Sequence, residues 1–232
     1  SALKVAYHQA PELAYWYLDA YVDFTHEQRP QARAALEKLH AWHRQTQLPG
    51  YVQTLHKLRG QMPGDMDAEQ ACTVYADVRG KLLAVATQAG PAMAALVSQL
   101  HPEQLQHMER RFAKNDAEFR DDFIDTPPQK ARAERSKKAI ERAERLYGRL
   151  DAAQLAVIHQ RIDASSFDAR RTYTERLRRQ QDTLHTLRPL VAQQAPAAEI
   201  PAKMPSSRAL RRAISSASAW LTGTKASTTP AS

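Results

Sequence analysis

Apolar residues recur along most of the chain at intervals of three and four, the spacing that places them on one face of an α-helix. The clearest stripe lies in the segment 100–124 and consists of Leu105, Met108, Phe112, Phe119 and Phe123. No stretch of the sequence shows the alternation of apolar and polar residues that is typical of a half-buried strand. The pattern therefore predicts an all-α fold, a single multi-helix bundle of about eight to nine helices.

Helix starts are marked by four predicted capping boxes, in which a cap side chain binds the amide three residues on and a glutamine binds back to the cap amide. The boxes cover 25–28, 67–70, 101–104 and 151–154. Because proline lacks an amide hydrogen, we expect helix breaks at Pro49-Gly50 and Gly90-Pro91. The predicted helices are 11–24, 26–46, 51–60, 67–88, 92–99, 102–124, 129–148, 151–162 and 167–187.

The first predicted helix, 11–24, carries aromatic residues around nearly its whole circumference. A helix that is apolar on all sides is buried or faces a second surface such as a membrane interface. The expectation is that 11–24 is the central core helix and that the helix 102–124 packs against it and against 26–46.

Charge is unevenly distributed along the 232 residues, whose formal net charge is +8. Residues 1–188 are nearly balanced, whereas 189–232 contain five basic residues and one acidic residue. This difference predicts a helical bundle over 1–188 and a flexible basic tail over 189–232, in which 206–221 can form a short amphipathic helix. Such a helix can lie on an anionic membrane. The candidate membrane contacts are Arg208, Arg211, Arg212 and Trp220.

A single cysteine, Cys72, excludes an intramolecular disulfide, and it is expected to be a small buried apolar residue. The sequence shows no apolar run that approaches the roughly 20 residues needed to span a bilayer. His40 and His43 could face one metal ion, but the helical zinc motif H-E-x-x-H does not occur. We therefore expect neither a metal nor another cofactor.

A polar strip accompanies the apolar stripe of the helix 102–124 at spacings of four, three and four; its members are Arg111, Asn115, Glu118 and Asp122. The strip is interpreted either as a buried network of ion pairs and amides or, with Trp42 and His43, as a binding site. A carboxylate such as Glu118 or Glu109 could do acid–base chemistry only in a cleft that separates its pKa from that of a second acid. No nucleophile elbow or phosphate loop is present, so the protein is not expected to be an enzyme.

The predicted helix 129–148 is rich in basic residues and raises the question of nucleic-acid binding. A surface that follows phosphates concentrates positive charge, whereas this helix alternates Lys and Arg with Glu134, Glu141 and Glu144. The mixture is typical of a solvated helix face. No nucleic-acid partner is expected.

Several segments resemble a family of uncharacterised Gram-negative helical lipoproteins over about residues 1–188. The segments that carry the resemblance are LKVAY at 3–7, WYLD at 16–19, YVDF at 21–24, HAWHR at 40–44, ERRFAKN at 109–115, EFRDD at 118–122, RAERLYG at 142–148 and RRQQ at 178–181. In that family the start Ser-Ala-Leu-Lys follows the lipidated cysteine. The resemblance thus implies that Ser1 is the second residue of a mature lipoprotein on the periplasmic side of the outer membrane, and it implies no established activity.

The capping boxes are similar, more loosely, to the LTxxQ repeats of Spy-type periplasmic chaperones. Only Thr25 keeps the threonine of that repeat, and a shared capping solution also explains the likeness. The expected function is a non-catalytic, protein-binding or chaperone-like factor of the cell envelope, whose partners would be envelope proteins or unfolded clients. The alternatives are an envelope enzyme that uses carboxylates of the central helix, and a structural tether to membrane or peptidoglycan.

Overall fold

In a computed structural model of the protein, Val5 and residues 7–61 and 67–200 are described. These residues are helical with short connections, and no strand occurs among them, which confirms the all-α prediction. The helices are α1 (Ala10–Val22), α2 (Gln28–Trp42), a π-helical turn (His43–Gln47), α3 (Leu48–Gln61), α4 (Ala68–Val97), α5 (Pro102–Phe123), α6 (Pro128–Tyr147), α7 (Ala152–Asp163) and α8 (Ala169–Ala192).

The predicted break at Pro49-Gly50 is wrong, because α2, the π turn and α3 follow one another without interruption. The amide of Leu48 donates to the carbonyl of His43, five residues earlier. This wider turn lets the helix continue although Pro49, next in the chain, has no amide to donate. The described part of the chain therefore forms seven helical rods, slightly fewer than the eight or nine predicted.

Helix α4 likewise continues through the second predicted break, with Pro91 inside it. Its segment Cys72–Val97 is long enough and apolar enough to cross a membrane by length and composition, although only 11% of its most apolar window is buried. The expectation that no apolar run has this length was therefore wrong. Cys72 is exposed, contrary to the prediction that it is buried.

Three of the predicted capping boxes form as expected. The Asp67 and Asp151 carboxylates accept from the amides of Gln70 and Gln154, which bind back to the cap amides. At the start of α2 the Thr25 amide donates to the Gln28 side chain, and the Gln28 amide donates to the Thr25 hydroxyl. These bonds satisfy amides that have no partner inside the helix.

The chain divides into two compact units. The first comprises 1–107 and 186–232, and the second comprises 108–185, so α5 and α8 contribute to both. In the first unit Tyr15, Phe24 and Ala32 form a buried cluster, with the rings of Tyr15 and Phe24 stacked 5.9 Å apart. In the second unit the stripe of α5 meets α8, since Phe119 stacks on Tyr173 at 6.2 Å.

The first turns of α5 pack on α1 and α2, as predicted. The Gln104 side chain donates to the carbonyls of Val22 and Asp23, and His107 lies 3.2 Å from the carbonyl of Ala20. The prediction that the aromatic helix α1 is buried on most sides is wrong. Tyr15 is buried, whereas Trp16 and Tyr17 are more than half exposed.

At the C-terminal end, α8 runs through Pro189 to Ala192, so the predicted boundary at residue 188 lies inside a helix. Apolar side chains remain buried beyond it, among them Leu190, Ala195 and Ile200. The predicted amphipathic helix 206–221, with Arg208, Arg211, Arg212 and Trp220, lies outside the described residues.

Candidate functional site

The residues of the predicted polar strip of α5 do not meet at one site. Glu118 is exposed, and Asp122 lies 2.5 Å from the Lys138 ammonium of α6. Hydrogen bonding to Asp122 raises the pKa of Lys138. Arg111 and Asn115 are half-buried, and the main-chain carbonyl of Asn115 accepts from the Arg176 guanidinium. Two members of the strip are thus bound to neighbouring helices of the second unit.

The carboxylate that is buried on α5 is Asp116, which the sequence pattern did not single out. It is 6% exposed and accepts from Arg176 Nη2 at 3.0 Å, from Arg176 Nε at 3.2 Å and from Gln180 Nε2 at 2.9 Å. Arg176 and Gln180 lie one turn apart on α8. Charge-assisted bonds of this kind fix two helices in register. The arrangement is a structural clamp between α5 and α8.

The sequence contained only a weak signal for this clamp. Asp116 directly follows the predicted Asn115, and 60 residues separate it from Arg176. A helical period places residues on a face but does not say which residue of a distant helix will meet them. The face of α8 that carries Arg176 and Gln180 was the available clue.

His43, another predicted site residue, lies at the start of the π turn and bonds two tyrosines. Its Nδ1 is 2.9 Å from the Tyr7 hydroxyl, and its Nε2 is 3.1 Å from the Tyr51 hydroxyl. A neutral imidazole has one donor and one acceptor nitrogen, so one tyrosine donates to the ring and the other accepts from it. His43 thereby connects the N-terminal segment, through Tyr7, to α3.

The electrostatics of this group follow from its burial. Burial, with a smaller contribution from His40, lowers the pKa of His43 below its ordinary value. Burial likewise raises the pKa of Tyr7. Both shifts favour the uncharged forms of the side chains. We interpret the Tyr7–His43–Tyr51 group as a neutral hydrogen-bonded connection.

The neighbouring histidine, His40, contacts the Tyr7 ring at a centroid distance of 4.7 Å. Trp42, predicted together with His43, is half-buried, and its carbonyl accepts from the Thr46 hydroxyl inside the π turn. Within the described ranges no three His, Cys, Asp or Glu side chains are grouped closely enough to hold a metal ion.

An exposed apolar face lies on α1, on the side away from its core residue Tyr15. Leu13, Trp16 and Tyr17 are 59%, 58% and 66% exposed, and their spacing of three and four places them on one side of the helix. On the core side, Arg33 lies 3.7 Å above the Tyr15 ring and pairs with Glu12. This arrangement holds α1 against α2 and leaves its aromatic face in solvent.

Taken together, the helices and their capping glutamines define an all-α protein in which the buried polar side chains of Gln28, Gln104 and Asp116 are hydrogen-bonded. The chain belongs to a family of unknown function, DUF6279, whose model matches residues 20–196. This confirms the expectation of an uncharacterised family; the lipid anchor and the likeness to Spy-type chaperones stay predictions. No curated protein and no solved structure matches the chain.

Proposed function

We propose that this protein is a non-catalytic factor of the cell envelope that binds other proteins, in the manner of a chaperone, through the exposed face of α1. The periplasmic location is supported by the resemblance to lipoproteins over residues 1–188. The non-catalytic role is supported by the carboxylates of α5, because Asp122 is held by Lys138 and Glu118 faces solvent.

The observation that carries the proposal is the grouping of Leu13, Trp16 and Tyr17 on one exposed helix face. A folded protein gains nothing from leaving such side chains in water, and contiguous apolar patches commonly mark interaction sites. Tryptophan and tyrosine are also the residues that dominate protein–protein binding energy. The expected partner surface is an apolar segment of an unfolded or partly folded polypeptide.

The acidic groups beside this face are engaged within the protein. Glu12 pairs with Arg33, and the Asp19 carboxylate accepts from the Phe24 amide at 2.9 Å. A partner can therefore contact the aromatic face without leaving these carboxylates unpaired. The face can therefore bind an apolar surface of a partner, and we expect it to discriminate little between partners of different charge.

The test is the suppression of aggregation of a reduced or heat-unfolded client by the full chain. The variant Trp16→Ser with Tyr17→Ser should lose most of this activity, because it removes two exposed aromatic side chains and leaves the buried Tyr15 in place. The matched control is Val157→Ser, which removes an exposed apolar side chain from α7.

Helix content measured by circular dichroism should be the same in all three proteins. If wild type and control fail to suppress aggregation, or if the double variant suppresses it equally well, the proposal is wrong. Retention of an envelope protein by wild type and not by the double variant in crosslinking would extend the role to folded partners.

A further inference from the structure

We propose that the pair of helices α3 and α4 presents an apolar face that inserts into the interface of an anionic lipid bilayer. This inference concerns other residues than the binding face of α1 and goes beyond the proposed function. It follows from the contacts between the two helices, from the side chains next to those contacts and from the charge at one edge.

Polar side chains connect α3 to α4. The Thr54 hydroxyl donates to the Asp77 carboxylate at 2.6 Å and accepts from the Lys81 ammonium at 2.9 Å. Lys81 also pairs with Asp77 and lies 5.7 Å from the Tyr51 ring. Gly50 and Tyr51 lie beside Lys81, and Thr54, further along α3, reaches Asp77, which is earlier in α4, so the helices run antiparallel.

Each of these four contact residues is followed in the chain by an exposed apolar residue. Tyr51 and Thr54 are followed on α3 by Val52 and Leu55, which are 47% and 64% exposed. Asp77 and Lys81 are followed on α4 by Val78 and Leu82, which are 45% and 51% exposed.

Helix geometry places these four apolar side chains on the same side of the pair. One residue advances about 100° around a right-handed helix, and two antiparallel helices seen along their axes turn in opposite senses. The residue after a contact position therefore points to the same side on both helices. Met93, which is 50% exposed, lies eleven residues after Leu82, about three full turns, and extends the face along α4.

The arrangement is the reverse of a water-soluble helix pair, in which apolar residues meet and polar residues face solvent. Here the hydroxyl, carboxylate and ammonium groups meet, and the apolar side chains point outward. Polar groups that satisfy one another between helices while apolar groups face outward are typical of helices that contact lipid.

The apolar composition of α4 also favours contact with lipid. Its segment Cys72–Val97 is apolar enough to cross a membrane, and such segments in water-soluble proteins are usually buried core helices. Only 11% of its apolar window is buried. Burial inside the first unit therefore does not account for its composition.

Charge identifies the kind of lipid surface. Helix α3 contains the basic residues Lys57 and Arg59 and no acidic residue between positions 48 and 61. Arg59 is exposed and lies one turn after Leu55, at the C-terminal edge of the apolar face on α3. A cationic side chain in this place can reach lipid phosphates while the apolar side chains enter the acyl region. Anionic headgroups fit this edge.

The test is co-sedimentation of the full chain with vesicles of phosphatidylethanolamine and phosphatidylglycerol. The variant Leu55→Glu with Leu82→Glu should bind at least about ten-fold more weakly, because two side chains no longer transfer from water to lipid. The matched control Val157→Glu places the same charge at an exposed position of α7 and should bind like wild type. Arg59→Gln should weaken binding to these vesicles and leave binding to phosphatidylcholine unchanged.

A second measurement reports the position of the face directly. In a Cys72→Ser background, an environment-sensitive fluorophore on Leu82→Cys should shift to the blue when vesicles are added, whereas the same fluorophore on Val157→Cys should not. Equal sedimentation of the Leu55→Glu/Leu82→Glu variant and wild type, or no shift at position 82 in bound protein, overturns the proposal.

The oligomeric state of the protein without vesicles provides a further test of the lipid proposal. If sedimentation velocity shows that wild type is a dimer and that Leu55→Glu/Leu82→Glu is a monomer, the face binds a second copy and the lipid proposal is wrong. The aggregation assay for α1 uses no lipid, so its failure and the failure of this proposal are distinguishable.

Discussion

The side chains of Gln28 and Gln104 bind each other as a reciprocal amide pair in the core of the first unit. Gln104 Nε2 donates to Gln28 Oε1 at 2.8 Å, and Gln28 Nε2 lies 3.2 Å from Gln104 Oε1. Gln28 is 3% exposed and Gln104 5%. Gln28 also belongs to the capping box of α2, and Gln104 accepts from the cap amide of α5, so each glutamine closes the start of its own helix and joins it to the other.

Further bonds satisfy the remaining polar atoms of the pair. Gln28 Nε2 donates to the Gln99 carbonyl at 2.6 Å, and Gln104 Oε1 accepts from the His101 amide at 3.0 Å. Gln104 Nε2 also donates to the carbonyls that end α1, at Val22 and Asp23. The two amides therefore connect the end of α1, the start of α2 and the start of α5. A buried network of this kind stabilises a structure when all of its members are paired.

Removing one member should be costly. We expect Gln104→Ala to lower the free energy of unfolding by about 2–3 kcal/mol, because the carbonyls of Val22 and Asp23 and the buried Gln28 amide each lose a partner. The double variant with Gln28→Ala should lose less than the sum of the single losses, since each single change already breaks the shared bonds. Urea unfolding measures all three. The control is Gln154→Ala, whose exposed side chain bonds only its own cap, and equal losses at Gln154 and Gln104 would contradict the interpretation.

The clamp between α5 and α8 makes a second prediction. Replacing Asp116 by Ala should lower the free energy of unfolding by about 2–3 kcal/mol, because Arg176 and Gln180 lose a buried acceptor. The comparison is Asp182→Ala, whose carboxylate pairs with Arg178 on the exposed face of α8. That change should cost at most about 1 kcal/mol. Chemical denaturation measures the free energy of unfolding of both variants. A loss for Asp116→Ala no larger than that for Asp182→Ala would exclude a clamp.

The His43 group predicts a dependence of stability on pH. Burial lowers the pKa of His43 in the folded protein, so the unfolded chain takes up its proton first as the pH falls. The contribution to stability is complete above the unfolded pKa of about 6.5 and is lost as the pH falls through the folded pKa. Thermal unfolding at pH 8 and pH 5 should therefore differ less in His43→Gln than in wild type. His56→Gln, at an exposed position of α3, should keep the wild-type difference.

The glycines of α4 and the glycine after α6 should respond in opposite directions to alanine. An added Cβ at Gly90 or Gly80 would meet no atom within 4 Å, so alanine there should stabilise the helix by about 0.5–1 kcal/mol. Gly148 has φ 78° and ψ −165°, a conformation that only glycine adopts readily. There alanine should destabilise by about 1–3 kcal/mol. Melting temperatures of Gly90→Ala and Gly148→Ala that move in the same direction would refute this assignment.

Local structure was largely predictable from the sequence. The helices, their all-α assembly and the capping boxes at Thr25, Asp67 and Asp151 depend on hydrogen bonds and side-chain spacings within a few residues of each other. The apolar stripe of α5 was also visible, because a helical period is a property of one segment. Two prolines misled the prediction: Pro49 follows a π turn, and Pro91 lies within a helix that continues on both sides of it.

The sequence by itself determined which segments are helical and where most of them begin, since propensity and capping act over one or two turns. Only the tertiary structure decided which residues meet across distance. It paired Gln28 with Gln104 and Asp116 with Arg176, and it left Trp16 exposed although the sequence predicted a core helix. The physical reason is that burial and long-range pairing depend on the packing of separate helices, and one-dimensional spacing carries no information about the partner face.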